Sequence, residues 1–97
     1  MKHAVIYLRQ NKKESIEELL ESADKYIADL KNQYKIINVF FDNFNDRSNL
    51  DNFLNSAPNK FDIIIIDHII EDEFDLKLIK ELSRMEKFQV VYLIRIP

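Results

Sequence analysis

Short apolar runs alternate along this chain with longer stretches whose apolar residues recur at helical spacing. His3 to Arg9 is mostly apolar and rich in strand formers, which predicts a first strand. Ser15-Ile16-Glu17-Glu18 has the form of a capping box, with Ser15 as the cap and Glu18 reaching back, so a helix should follow. Within it Ile16, Leu19, Leu20, Ala23, Ile27 and Leu30 fall on one face. Tyr34 to Phe41 predicts a second strand, and the polar stretch Asp42 to Asn49 a loop. Leu50 to Leu54 fits a short helix, stopped by Ser56-Ala57-Pro58. Phe61 to Ile66 predicts a third strand, and its run of four isoleucines implies burial on both faces, as in a central parallel strand. A second long helix is expected from Asp72 to Glu86, with Phe74, Leu78, Leu82 and Met85 inward and Asp72 and Glu73 suiting its dipole. Gln89 to Ile94 predicts a fourth strand.

Strands alternating with helices imply a parallel sheet with right-handed crossovers. The expected fold is α/β: one domain spanning residues 1–97, three αβα layers, and four parallel strands in the order 2-1-3-4. Both sheet edges need attention, because an exposed apolar edge such as Val90 to Ile94 invites association, and a homodimer fits that pattern.

Composition removes several classes of function. The chain has 97 residues, 46% of them apolar, enough for a modest core. It has no cysteine, hence neither disulfides nor thiolate metal ligands. It has no glycine, which excludes a Walker loop and a dinucleotide fingerprint and leaves its turns to Asn, Asp, Ser or Pro. With fourteen basic and seventeen acidic residues and no basic cluster beyond Lys12-Lys13, binding to nucleic-acid phosphates should be weak or absent. Neither a signal peptide nor a membrane span is expected, and the anticipated compartment is the cytoplasm.

In an open parallel sheet, ligands bind beyond the carboxyl ends of the strands, where the strand order reverses. Here that crevice lies between strands one and three. It should collect Arg9, Gln10 and Asn11 from the first strand and Asp67 and His68 from the third, flanked by Asp42 to Arg47. Arg9 would otherwise be a surface residue at a strand end or pair with Asp42 or Asp67, Tyr7 would sit in the core, and Asn11 would form a turn. His3 and His68 fall at opposite ends of their strands, roughly 20 Å apart at about 3.3 Å per residue, and cannot share a metal ion. The acidic group Glu71 to Glu73 with Asp75 reads as a solvated helix start. No metal or cofactor is expected.

Ala4 to Asn11 resembles the first strand of the serine recombinase (resolvase/invertase) catalytic domain, in which Tyr-x-Arg-x-Ser carries the nucleophile. Tyr7 and Arg9 match that motif. Lys13-Glu14-Ser15-Ile16-Glu17 resembles the lead into the family's first helix, and Asp42 its Asp closing the second strand. Asp46-Arg47 before Leu50 resembles the family's Asp-Arg-x-x-Leu stretch, whose Arg binds phosphate. Phe61-Asp62 with the Ile run, and Leu78 to Leu82, resemble the third strand and the helix after it. The likeness implies a resolvase-like fold, a phosphate site at Arg9 and Arg47, and involvement in DNA recombination or a mobile element such as a phage.

The departures imply that the reaction is lost. Asn11 occupies the nucleophile position, and an amide has no hydroxyl with which to attack DNA. The family's Asp-x-x-Ser-Gly is reduced to Asp42-Asn43-Phe44. Its Asp-Arg-x-x-Arg is reduced to Asp67-His68, so that two arginines for transition-state charge are missing. The long helix and DNA-binding region that follow the family's sheet have no counterpart among these residues. The reading is therefore a pseudoenzyme: an inactive recombinase-like interaction module whose partner is a full-length serine recombinase or another protein, with Phe40, Phe41, Phe44 and Phe53 as candidate contact surface, although most of the four are expected to pack in the core. Alternatives are residual DNA binding or strand exchange, with Ser48 as a relocated nucleophile; a receiver-like phospho-switch at Asp67, although Gln10 and Asn11 replace the acidic pair such a switch needs; acid–base work by His68; and a mobile-element remnant.

Overall fold

A computed structural model describes residues 1–55, 61–68, 70 and 72–93. Four strands, β1 (His3–Arg9), β2 (Lys35–Asp42), β3 (Ile63–Ile66) and β4 (Gln89–Tyr92), alternate with three helices, α1 (Ile16–Leu30), α2 (Ser48–Asn55) and α3 (Glu73–Glu86). All strand pairs are parallel, as expected from the alternation, and the order is β2-β1-β3-β4, the order anticipated for the sheet.

The two faces of the sheet carry two separate cores, because successive strand residues point to opposite sides. Ala4, Ile6 and Leu8 of β1 join Ile63 and Ile65 against Leu19, Ala23 and Leu30 of α1. Val5 and Tyr7 join Ile64 and Ile66 against Leu50, Phe53 and Leu54 of α2 and Ile79 of α3. The isoleucine run thus feeds both layers, each side chain contributing about 2 kcal/mol of burial. On the α2–α3 side, aromatic rings pass from Tyr7 to Phe40, Phe53, Phe61 and Phe88 with centroid separations of 5.1, 4.6, 5.5 and 4.8 Å.

The Ser15 capping box closes with both reciprocal bonds at 3.1 Å. Asp72 caps α3 by accepting from the Asp75 N–H at 3.0 Å. Without glycine, the left-handed positions fall to Asn45 (φ 59°) and Lys87 (φ 60°), the latter ending α3. Among the described residues no helix is long and apolar enough to cross a membrane.

Several local expectations need correction. The second strand is shifted by one residue, the third begins at Ile63 rather than Phe61, and the short helix starts within the expected loop, at Ser48. Its proposed Ser56-Ala57-Pro58 stop lies outside the described residues, as do Ile94 and Glu71. Phe74 (61% exposed) and Met85 (68%) do not face the core; Ile79 and Asp75 do, alongside half-buried Leu78 and Leu82. A helix buries only about a 100° stripe, and the stripe through 75, 78, 79 and 82 leaves 74 and 85 outside. Leu20, 42% exposed, likewise lies off the inner face of α1.

Candidate functional site

At the carboxyl ends of β1 and β3 the strand order reverses, and a cleft of about 520 Å³ opens there. Arg9, Gln10 and Asn11 line it from the end of β1, Phe44 to Arg47 from the loop after β2, and His68 from the end of β3. The expected crevice residues therefore converge, with three exceptions, Asp42, Asn43 and Asp67. Asp42 and Asp67 are each 1% exposed and lie beneath the cleft as supports.

Asp42 is a structural cap. Its Oδ1 accepts the Asn49 N–H at 2.9 Å and its Oδ2 the Leu50 N–H at 3.1 Å, so the end of β2 satisfies two first-turn amides of α2. The same Oδ2 accepts the Tyr7 hydroxyl at 2.8 Å. Tyr7 is core aromatic and polar strut at once. Burial, then the bond to Asp42, pushes its phenol far above the ordinary range, so it stays protonated. Its oxygen also accepts from Arg9 Nε at 3.0 Å and Nη2 at 2.8 Å.

The sequence offers Asp42 or Asp67 as partners for Arg9, and the structure adds Asp75. The Arg9 backbone N–H donates to Asp67 Oδ1 at 3.2 Å, while its guanidinium lies 3.8 Å from Oδ2 of Asp75. The other oxygen of Asp75 accepts from Arg47 at 3.2 Å. Arg47 is also shared with Asp72 at 3.4 Å and Asp51 at 3.6 Å, and stacks over Phe74 at 5.0 Å. Asp75, 1% exposed, is thus no part of a solvated helix start. It lies between two arginines brought from separate parts of the chain. Desolvation raises its carboxyl above the ordinary value, with Arg47 pulling the other way. Its sequence signal was an acidic residue on the apolar stripe of α3, three and four positions before Leu78 and Ile79.

Gln10 has a second role that sequence reasoning missed. Its Nε2 donates to the Glu14 carbonyl at 2.6 Å and its Oε1 accepts the Phe44 N–H at 3.1 Å, tying together the loops after β1 and β2. Asn11 is exposed and in a turn, its N–H donating to the Glu14 carboxylate and its carbonyl accepting the Glu14 N–H, both at 3.1 Å. His68 Nδ1 lies 2.8 Å from Asp67 Oδ1; with the proton on Nδ1 it donates to that carboxylate. Its Nε2 is buried and has no hydrogen-bond partner among the described residues.

The lining carries three cations (Arg9, Lys12, Arg47) against three carboxylates (Asp46, Asp72, Asp75) and so presents no net positive field to a polyanion. Among the described residues no group of three or more His, Asp or Glu converges as metal ligands would. These features define an open α/β domain with a charge-balanced cleft at its switch point. In comparisons with known proteins, the chain matches no family model, no curated protein and no solved structure.

Proposed function

We propose that this chain is a catalytically inactive, serine-recombinase-like domain that works in the cytoplasm as a protein-interaction or regulatory module linked to DNA recombination or a mobile element. One observation carries the loss of DNA chemistry. Arg9 and Arg47, the two residues that would hold a phosphate, both face the buried Asp75 carboxylate, at 3.8 and 3.2 Å. A phosphate entering the cleft has to displace that anion. Asn11 at the cleft mouth adds an amide where the resemblance calls for a hydroxyl.

A second reading, residual DNA binding, draws on the convergence of Arg9, Lys12 and Arg47. The receiver-like alternative is weakened by Asp67, whose side chain is 0% exposed and out of reach of a phosphodonor. Ser48 does not line the cleft, which weakens its case as a relocated nucleophile.

The deciding experiment is a fluorescence anisotropy titration with duplex DNA at low salt, combined with a denaturing-gel search for a protein–DNA adduct. The expected result is neither saturable binding nor adduct, while the protein changes the recombination rate of an added full-length serine recombinase. Saturable binding without adduct supports the second reading instead. An adduct overturns the pseudoenzyme assignment.

A further inference from the structure

An apolar exposure next to a sheet edge lies away from the cleft, where α1 crosses β2. β2 is an edge strand, and its pairing with β1 slips by one residue between Ala4 and Val5, leaving Ile37 as the extra residue. Ile37 is 45% exposed, and Val39 and Leu20 are each 42% exposed beside it. Together with Ala23, Ile27 and Ile36 they line a groove of about 420 Å³. Its charged residues are Asp24 and Lys31, two turns apart on α1. Two turns further toward the helix start, Glu17 continues the same stripe, which reads acid, apolar, acid, apolar, base through positions 17, 20, 24, 27 and 31.

That arrangement is complementary to itself. Because β1 and β2 are parallel, α1 runs antiparallel to both, so the groove is acidic toward the carboxyl end of β2 and basic toward its start. A two-fold axis across the groove places Lys31 of one copy against Asp24 of the other, twice. It also turns each bulged Ile37 toward the apolar groove of its mate. A symmetric dimer requires one patch that matches itself in this way. The bulge disfavours continuous strand pairing at this edge, so side chains carry the contact.

We propose that two copies of this chain associate through the groove between α1 and β2, with Ile37, Val39 and Leu20 as the apolar centre and Asp24–Lys31 pairs at the rim. This interface is independent of the functional reading of the cleft.

Sedimentation equilibrium from micromolar to submillimolar protein tests it. The wild type is expected to approach twice the 11.7 kDa of one chain. Ile37→Lys, at an exposed site, should stay monomeric with an unchanged far-ultraviolet spectrum, whereas Met85→Lys on α3 should dimerise normally. Asp24→Lys and Lys31→Glu should each weaken association by roughly tenfold, two rim pairs being reversed at once. Mixing these two variants should restore it, since each then meets an opposite charge. A wild type that remains at the monomer mass throughout overturns the proposal. So does a dimer that survives Ile37→Lys, or a charge-swapped mixture no tighter than its components.

Discussion

The hydroxyl of Tyr7 donates to Oδ2 of Asp42 at 2.8 Å, and this one bond joins the central strand to the edge strand and to the start of α2. Both residues are within 1% of full burial, so neither has water to fall back on. Around this pair the cleft is assembled: Tyr7 orients Arg9, and Asp42 orients the helix that follows Arg47.

Tyr7→Phe should therefore lower unfolding free energy by about 1–3 kcal/mol, because a buried carboxylate loses a donor. Asp42→Ala should cost at least as much, since two helix amides and the phenol lose their acceptor together. In a urea-denaturation double-mutant cycle the pair should couple by about 1 kcal/mol or more. Additive losses would mean the bond contributes nothing of its own.

Asp75→Asn should remove the carboxylate charge that faces both arginines and leave more of their charge to an anion in the cleft. Sulfate in the millimolar range is expected to raise the melting temperature of the variant and leave that of the wild type nearly unmoved, by preferential binding to the folded form. The carboxyl of Asp75 is raised in the folded state, chiefly by desolvation. The folded form thus holds this proton more tightly than the unfolded chain, and the ionised group weighs against folding at neutral pH. Wild-type stability measured against Asp75→Asn should accordingly improve as the pH falls through that raised value. A constant difference from pH 7 to 4 would contradict the assignment.

Asp46 has the opposite sign. The Ser48 N–H at 2.9 Å holds its carboxyl below the ordinary value. Its contribution is present above the unfolded pKa and disappears as the pH falls through the lowered folded one. The melting-temperature advantage of wild type over Asp46→Asn should be steady at neutral pH and shrink from about pH 5 downward.

Lys87 ends α3 with φ 60°, where a side chain crowds its own backbone. Lys87→Gly should stabilise the domain by about 1 kcal/mol, read as a higher urea midpoint at unchanged slope. Asn45 has the same φ sign but a residue type that tolerates it, so Asn45→Gly should change little.

The sequence alone determined the order of elements and the parallel sheet, because hydrophobic periodicity and local capping are short-range signals; those signals do not fix the 2-1-3-4 strand order, which the structure bears out. The four isoleucines could only form a strand covered on both faces, and Ser15 with Glu18 could only start a helix. It also brought Arg9, Asn11, Arg47 and His68 to one crevice, since residues at strand ends in such a sheet have nowhere else to go. What each polar side chain does there was decided only by tertiary structure. Asp75 looked like one of several acids at an exposed helix start until the rotation of α3 turned it inward between arginines from two other segments. Phe74 and Met85 exchanged places with it, because one helix buries a single stripe and a shift of one position changes its members. Asp42 and Asp67, placed by sequence in the cleft, lie beneath it as supports. Their bonding partners, Tyr7, Asn49, Leu50 and Arg9 for the most part, are 7 to 58 residues away along the chain. Pairings across such distances are set by packing and leave no periodic trace in the order of residues.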